Sequence, residues 1–274
     1  MTKISKIKVS DDLKRAVLKS VDLIGGFRSF IKTGDIVLLK PNFNTADPFP
    51  ASSDLGFLKA MVELAYEFGS KSVIVGESSM FTLNTRKTME KTGVFSLAEL
   101  KPSAEIFSFD EHKWIKKKIA NGKYLKSISV PEILDKVDKL ILLPCLKTHI
   151  YARYTGALKL SVGFMKQRER ICLHLGHLQE KIAELNAVIN PDLIVMDARK
   201  CFITGGPAGG IVREPNLILA SADRIAIDVE GIKIIQSFEG NELRKANPWE
   251  LTQIKWAIQC GIGVRSEKDY LFFS

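Results

Sequence analysis

Short apolar runs alternate along the chain with segments of helical character, and this order predicts an α/β fold. The runs with the length and composition of buried strands lie at 34–43, 71–78, 104–111, 138–145, 191–198 and 215–222. The segments between and after them predict helices at 53–68, 82–92, 175–189, 222–238 and 248–260. Strands that alternate with helices in this way form a mainly parallel sheet with crossover helices.

A segment of different character, 114–130, interrupts this order. Asn121-Gly122 lies there between two runs of alternating polarity, which is the sequence signature of a β-hairpin insertion. The hairpin is basic, with lysines at positions 116, 117, 118, 123 and 126. A solvated face explains these lysines, and a grip on nucleic acid is the alternative. Because only Trp114 and Tyr124 are nearby for stacking on bases, nucleic acid is not the expected partner.

The chain is long enough to form a large hydrophobic core. Of its 274 residues, 46% are hydrophobic, which suits one α/β unit over 1–274, with a two-lobe division near 150–190 as the alternative. No stretch approaches the roughly 18 to 20 uncharged apolar residues of a membrane span. The charged N-terminal segment also lacks the apolar run of a signal peptide. We therefore expect a cytoplasmic protein with no membrane partner.

Net charge and cysteine spacing narrow the expected partners. The formal net charge of +9 favours an anionic partner, whether nucleic acid, an acidic metabolite or an acidic protein, and the charge alone does not choose among them. A solvated basic surface is the alternative. The cysteines lie far apart, at 145, 172, 201 and 260, and no two of them form a C-x-x-C pair. This spacing provides no local chelate for an iron–sulfur cluster, so we expect no cluster and no ferredoxin module in this chain.

Polar residues directly follow several of the predicted strands. In an open parallel sheet such residues lie beside the ligand, because the crevice forms beyond the carboxyl ends of the strands. The residues in question are Lys40, Asn42, Glu77, Ser78, Ser79, Lys147, His149 and Asp197. Among them we predict Lys40, Asn42 and Asp197 as ligand-binding residues.

The stretch from Leu142 to Met165 concentrates cationic and proton-transferring side chains after a strand. Lys147 and His149 are the strongest candidates, since histidine exchanges a proton near neutral pH and a neighbouring lysine polarises a bound anion. Lys159 is a third candidate, and Arg153 is expected to hold a carboxylate or phosphate. The alternative is a solvated loop in which these side chains have no chemical role.

Two further features each have a chemical and a structural interpretation. The TGGPAGG loop at 204–210 can hold an anion on successive backbone N–H groups, those of Gly205, Gly206 and Gly209, or it can form a wide turn. His174 and His177 would share one face of a helix and are candidate metal ligands, although ordinary helix-capping roles explain them equally well.

Seven ordered motifs resemble those of a known family. They are LLKPNF, LPCLKTH, TGALKLSVGFM, HLQEKIAELN, IVMDA, GGPAGG and ILASADRIAIDVEG, and they span 34–235. On these motifs the chain resembles the domain-of-unknown-function family 362. Many members of that family carry a ferredoxin-type iron–sulfur module, for which this chain lacks the cysteine pattern. The resemblance implies no defined activity.

A more remote similarity concerns the nickel-pincer lactate racemase family. There, too, a strand is followed by a catalytic histidine, a glycine-rich segment and a lysine that anchors the cofactor. His149 and Lys159 stand in a similar relation, and a nickel-ligand histidine would fall near the candidate metal ligands named above. This chain departs from the pattern after VIVGESS, where Ser78 and Ser79 stand in place of another histidine. The similarity implies a related scaffold and does not imply racemisation.

These observations predict an enzyme that acts on a small anionic metabolite by proton transfer at a lysine–histidine site. Lys147 and Arg153 would hold the carboxylate or phosphate. His149 would move the proton, and Lys159 would bind the anion or form a covalent adduct. The alternative is a non-catalytic module that binds an anion or, as family relatives fused to electron carriers imply, an acidic electron-carrier protein. The motifs point to no particular cofactor.

Overall fold

The computed structural model describes residues 1–274 and arranges them as alternating strands and helices. The strands are β1 (Thr2–Lys8), β2 (Ile36–Lys40), β3 (Ser72–Glu77), β4 (Glu105–Ser108), β5 (Trp114–Lys118), β6 (Ser127–Pro131), β7 (Lys139–Leu142), β8 (Cys145–His149), β9 (Arg153–Thr155), β10 (Leu193–Phe202), β11 (Val212–Arg213), β12 (Leu217–Ser221) and β13 (Tyr270–Phe273). The helices are α1 (Leu13–Leu23), α2 (Leu55–Glu67), α3 (Thr85–Thr92), α4 (Ala157–Leu160), α5 (Gln167–Arg170), α6 (Leu178–Leu185), α7 (Arg224–Gln236) and α8 (Thr252–Gln259).

One 11-stranded sheet organises the molecule. Its strand order is β13-β1-β12-β10-β7-β2-β3-β4, and β8, β9 and β11 pair outside this path. The run from β10 to β4 is parallel throughout, whereas β12 is antiparallel to both β10 and β1. The predicted fold class, an α/β fold with a mainly parallel sheet, is therefore confirmed.

Helices cover both faces of this sheet, so two hydrophobic cores form. Along β2, Val37 and Leu39 belong to the core shared with α1 and α2, while Leu38 belongs to the core shared with α6 and α7. Successive side chains of a strand point to opposite faces, so a strand that is buried on both faces must be apolar at every position. This requirement explains the continuous apolar runs that predict the strands.

The N-terminal elements β1 and α1 were not predicted from the sequence pattern. In β1 the buried Ile4 and Ile7 are separated by polar residues, so the run is too weak to predict a strand on its own. This segment forms a strand because of its pairing: β1 lies between β12, to which it is antiparallel, and β13, to which it is parallel.

The predicted basic hairpin is present as a separate two-stranded sheet of β5 and β6. The last paired residues are Lys118 and Ser127, so the connection spans 119–126 and is longer than a two-residue Asn121-Gly122 turn. The cause is tertiary, since the Glu184 carboxylate accepts hydrogen bonds from three successive loop N–H groups, those of Lys123, Tyr124 and Leu125. The exposed lysines of the hairpin are Lys116, Lys118, Lys123 and Lys126.

Helix length bears on the membrane prediction. The longest helices, α2 and α7, have 13 residues each, whereas a span needs about 20. None of the helices therefore has the length and apolar character to cross a membrane.

Candidate functional site

A small cavity opens at the carboxyl ends of the parallel strands. Its wall includes the last residues of β2 and β3, Lys40 and Glu77, together with Lys147 and His149 of β8. The cavity volume is about 70 Å³. That volume holds roughly five water molecules at about 10–15 Å³ each. A ligand that fits has only a few non-hydrogen atoms.

The structure brings seven of the candidates predicted from sequence to this cavity: Lys40, Asn42, Glu77, Ser78, Lys147, His149 and Lys159. Other polar residues in the wall include Thr155 and Arg170. Four cationic side chains therefore share the cavity with one carboxylate, and the site carries a net positive charge.

Lys40 and Glu77 form a buried ion pair in the cavity wall. Nζ of Lys40 lies 2.6 Å from Oε1 of Glu77, and the side chains are 1% and 2% exposed. The carboxylate also accepts hydrogen bonds from the N–H groups of Phe43 and Ser78. Burial lowers the pKa of Lys40, and the neighbouring Glu77 charge opposes that shift. Each charge has a partner inside the protein, so this pair stabilises the wall.

Arg170 ties two segments of the wall together through the backbone. Its guanidinium donates hydrogen bonds to four carbonyl oxygens, those of Ser78, Ser79, Gly163 and Met165. Glycine is required at 163, because a Cβ there would lie 2.6 Å from Nζ of Lys40 and 2.9 Å from Oε1 of Glu77. We refer to Lys40, Glu77 and Arg170 as the paired wall.

Lys147 reaches the cavity from the middle of β8. Its ammonium group donates to the carbonyl oxygens of Pro50 and Ala51 and forms no ion pair. Burial lowers the pKa of Lys147 to about 8. An ammonium has three donors, so one N–H of Lys147 is left for a ligand.

Lys159 is the cavity lysine with no partner in the protein. It lies half-buried in α4 and makes neither a hydrogen bond nor an ion pair. Burial, followed by the charges of Lys147 and Arg170, lowers the pKa of Lys159 to about 8. No carboxylate stabilises its charge.

A buried carboxylate positions the segment that carries Lys159. Asp228 of α7 accepts hydrogen bonds from the N–H groups of Ala157 at 2.6 Å and Leu158 at 3.1 Å. Gly156 allows this approach, because a Cβ there would lie 2.2 Å from Oδ1 of Asp228. Burial raises the pKa of Asp228 to about 7, and the hydrogen bonds oppose that shift. The TGALK segment therefore folds against Asp228, which determines where Lys159 meets the cavity.

His149 is held as a neutral hydrogen-bond donor. Its Nδ1 accepts from the N–H groups of Tyr151 and Ala152, both at 3.2 Å, so we assign the ring proton to Nε2. Burial, then the charges of Lys159 and Lys147, lower the pKa of His149 to about 3. The proton-acceptor role expected from sequence does not fit this arrangement, because the neighbouring cations disfavour the imidazolium form. A neutral imidazole N–H can instead donate to a carbonyl or carboxylate oxygen.

Two further buried donors in the wall have no partner. Nδ2 of Asn42 and Oγ1 of Thr155 have no partner in hydrogen-bond geometry, although both residues are only 6% exposed. The Asn42 side chain does lie near the Cys145 thiol, where it opposes the burial that raises the pKa of that thiol. Such groups are rarely left unpaired, since each costs about 1–3 kcal/mol. The residues that carry these atoms line the cavity together with Lys159 and His149. We refer to Asn42, His149, Thr155 and Lys159 as the free-donor wall.

Comparison with known families agrees with the motif order of the sequence. The profile described as Domain of unknown function (DUF362) matches residues 37–233, a range that contains every residue of the cavity wall. The chain belongs to the DUF362 family. The predicted resemblance is therefore confirmed.

Two individual proteins show how far the similarity of this DUF362 chain extends. Thylakoid-associated protein sll1697 of Synechocystis sp. is 27% identical over 222 residues, which are 78% of this chain and 67% of the relative. The lactate racemase apoprotein from Thermoanaerobacterium thermosaccharolyticum matches with a TM-score of 0.52 and 12% identity, covering 85% of this chain. This chain spans only 56% of the racemase chain. At 12% identity the match shows a shared fold alone, which confirms the predicted scaffold.

Arg153 lies outside the cavity of this DUF362 chain, so its predicted anion-binding position was wrong. It begins β9 with a φ of 69°, in the left-handed region, and its side chain is exposed. The guanidinium lies 3.5 Å from the Glu242 carbonyl, in an adjoining depression that is also lined by His149 and Ile150. The turn that joins β8 to β9 carries Arg153 away from the cavity.

Asp197 also lies outside the cavity, because the strand does not end where the apolar run ends. Pairing with β8 extends β10 to Phe202, so Asp197 is a mid-strand residue that is only 1% exposed. Its carboxylate forms an ion pair with Arg199 at 2.7 Å, and the same guanidinium reaches Asp54 at 2.7 Å. The prediction that Asp197 binds ligand is therefore corrected to a structural role.

The glycine loop does not present the predicted anion-binding N–H groups. The N–H of Gly205 donates to the Glu242 carboxylate at 2.9 Å, and that of Gly206 donates to the Thr204 carbonyl at 2.9 Å. Glycine is needed at 206 for packing, because a Cβ would lie 2.0 Å from the Thr148 carbonyl oxygen. These contacts dock the loop against β8.

The tip of the same loop still contributes to the cavity. Gly209 is outside the wall and lies in open space, whereas Pro207 and Ala208 line the cavity. The loop therefore supplies shape and apolar surface where the sequence predicted donors.

The candidate metal ligands His174 and His177 do not share a helix face. His174 is exposed and meets the edge of Tyr151, while His177 directly precedes α6 and stacks on Tyr124 at 4.0 Å. No group of three His, Cys, Asp or Glu side chains suited to a metal ion occurs in the structure. The shared face on which the metal-site prediction rested is absent.

Sequence reasoning did not single out Thr155, Arg170 or Asp228. Asp228 had a usable signal, since an acid surrounded by apolar residues in a buried helix needs a specific partner. Arg170 had none, because KQRER reads as an ordinary solvated segment. Its role depends on carbonyl groups that only the fold brings together.

Proposed function

We propose that this protein is an enzyme that acts on a small anionic metabolite, a carboxylate or a phosphate, bound in the cavity at the strand ends. The observation that carries this proposal is the free-donor wall. Its donors line one small cavity, and the protein provides no acceptor for them. An anion supplies several acceptor atoms in a compact volume, and buried donors without partners call for such acceptors.

The donors suit an anion in charge as well as in hydrogen bonding. Lys159, with the remaining N–H of Lys147, provides charge-assisted hydrogen bonds, which are about twice as strong as neutral ones. The Asn42 amide, the Thr155 hydroxyl and His149 Nε2–H add neutral, directional contacts. The carboxylate of Glu77 does not oppose the ligand strongly, because it is paired with Lys40.

In this proposal the lysines, and not His149, carry out proton transfer. Lys147 and Lys159 have pKa values lowered to about 8, close enough to neutrality to accept and return a proton. Strongly perturbed groups gathered in one cleft are typical of catalytic sites. His149 then orients the substrate through Nε2–H and does not take its proton.

A non-catalytic module that binds an anion is the second candidate. The fixed neutral state of His149 favours it, because the site then contains no histidine base. The cytoplasmic location, the acidic electron-carrier partner and the single-unit organisation inferred from sequence stay predictions.

Ligand-dependent thermal stabilisation tests anion binding. Four anions are titrated separately: phosphate, lactate, pyruvate and oxalate. We expect at least one of them to raise the Tm of the wild type. A ligand present at about 100 times its Kd adds about 2.7 kcal/mol to the free energy of unfolding. Lys159→Met and Asn42→Ala should lose this response, since each removes a donor of the free-donor wall.

The control is Lys116→Met, which removes an exposed cation of the hairpin and should keep the full response. Retention of the response in Lys159→Met would place the anion elsewhere and end the proposal. The proposal would also fail if none of the four anions raised the Tm. Some of these ligands carry a carbon-bound hydrogen next to the acid group. If such a ligand stabilises the protein, NMR in D₂O can follow the exchange of that hydrogen. An enzyme should catalyse the exchange, whereas a binding module should not.

A further inference from the structure

The cavity contains three lysines that differ in their partners. Lys40 is paired with Glu77, and Lys147 donates two hydrogen bonds to backbone carbonyls. Lys159 has neither kind of partner, and α4 holds it at the cavity wall. Of the three, Lys159 therefore has the terminal nitrogen that is free to meet a ligand atom directly.

The surroundings of Lys159 increase the fraction of its side chain that is an uncharged amine near neutral pH. Lys147 and Arg170 repel a proton on Nζ, and no carboxylate opposes them. A lysine that is desolvated beside another cation is activated as a nucleophile in this way. The lowered pKa of Lys159, to about 8, agrees with this geometry.

We infer that Lys159 is the nucleophile that forms a Schiff base with a small 2-oxo acid bound in the cavity. This inference rests on the proposed anion site, which it deepens by naming the substrate class. The carboxylate of such an acid would be held by Asn42, Thr155 and Lys147, and His149 Nε2–H would donate to the carbonyl oxygen. A three-carbon oxo acid has six non-hydrogen atoms, about the size that the cavity admits.

The covalent step balances without any oxidant or reductant. The amine of Lys159 attacks the carbonyl carbon, a C–N bond forms, and the carbonyl π-electrons move to oxygen. A proton shifts from nitrogen to that oxygen, and the resulting carbinolamine hydroxyl takes a second proton from the Lys147 ammonium. Water leaves, and a protonated imine remains on Lys159 while Lys147 becomes neutral.

Reductive trapping tests the inference. The full-length protein is incubated with pyruvate, and in a second series with glyoxylate, in the presence of sodium cyanoborohydride. Intact mass spectrometry should show one reduced adduct per chain, and peptide mapping should locate it on Lys159. Lys159→Met and Lys159→Arg should reduce trapping about tenfold or more, to the level of surface lysines, since neither side chain can form an imine.

Lys159→Arg keeps the test valid if Lys159→Met fails to fold, because arginine retains the positive charge. Lys116→Met is the matched surface control and should label as the wild type does. Lactate, which has a hydroxyl in place of the keto group and so forms no imine, should occupy the same site and protect Lys159 from trapping.

The outcomes separate this inference from the function on which it rests. Stabilisation by lactate or phosphate without an adduct on Lys159 would overturn the Schiff base and leave the anion site standing. An adduct on Lys147, or one spread equally over surface lysines, would also overturn it. Failure of every anion to bind, together with no adduct, would remove both.

Discussion

The two walls of the cavity both place polar side chains inside the protein, yet they differ in whether those side chains have partners. In the paired wall, the Lys40 ammonium meets Glu77, and Arg170 is surrounded by carbonyl oxygens. In the free-donor wall, Nδ2 of Asn42 and Oγ1 of Thr155 have no hydrogen-bond partner. Burial of a cation is therefore a poor guide to function, and the absence of an internal partner is a better one.

The strongest test of the comparison removes a partner from the paired wall. Glu77→Gln leaves the Lys40 charge buried and unpaired, which should lower the free energy of unfolding by about 3–5 kcal/mol. Urea denaturation measures the change. Glu90→Gln, which breaks the exposed pair with Arg86, is the control and should leave stability nearly unchanged. A loss of less than about 1 kcal/mol would mean that Lys40 does not depend on Glu77.

The pH dependence of stability tests the neutral state of His149. Its pKa is lowered to about 3 in the folded protein, against about 6.5 when unfolded. The contribution of neutral His149 to the free energy of unfolding is therefore complete above pH 6.5 and is lost as the pH falls toward 3. Between pH 7 and pH 4 the wild type should lose about 3 kcal/mol more than His149→Asn, at about 1.4 kcal/mol per pH unit.

Urea denaturation at several pH values makes this measurement. Lys116→Met, at an exposed position of the hairpin, serves as the control and should keep the wild-type dependence. Equal pH profiles for the wild type and His149→Asn would show that the imidazole charges freely, and the donor assignment would then fail.

A third test adds bulk between the paired side chains. Gly163→Ala places a Cβ 2.6 Å from Nζ of Lys40, and overpacking of this kind costs about 1–3 kcal/mol. Gly209→Ala is the matched control, because nothing lies within 4 Å of its added Cβ. Differential scanning calorimetry should show a lower Tm for Gly163→Ala than for the wild type, whereas Gly209→Ala should keep the wild-type Tm. Equal Tm values would contradict the tight packing of the paired wall.

The smallest expected effect comes from the free-donor wall. Lys159→Met removes a half-buried cation that has no partner, so the free energy of unfolding should stay the same or rise by less than about 1 kcal/mol. Measured beside Glu77→Gln, this variant gives the sharpest contrast between the walls. A loss of more than about 2 kcal/mol would show that Lys159 stabilises the fold through contacts that the free-donor interpretation omits.

Strand-end reasoning identified Lys40, Asn42, Lys147 and His149 because the carboxyl ends of parallel strands meet at one edge of a sheet. The same reasoning misplaced Asp197, since it assumed that β10 ends with its apolar run. Pairing with β8 extends the strand to Phe202, and pairing is not visible in the local pattern. The error thus has the same origin as the omission of β1, which is a strand only because of its neighbours.

The glycine loop illustrates a second limit of sequence reasoning. Its composition permits an anion-binding turn, but Glu242 and Thr204 already accept the N–H groups of Gly205 and Gly206. Hydrogen-bonding capacity can be counted from a sequence, whereas its use depends on which groups the fold brings close. His149 shows the same limit, because two backbone N–H groups determine its tautomer.

The sequence by itself determined the α/β class, the basic hairpin and the concentration of cations at the strand ends, because periodicity and composition are local properties of the chain. Only the tertiary structure decided which cations are paired and which donors are free. Those pairings join distant positions, as when Asp228 holds Ala157 from 71 residues away. A buried charge is stabilised by whatever lies within a few ångströms of it in space, and the order of residues along the chain does not specify that neighbour.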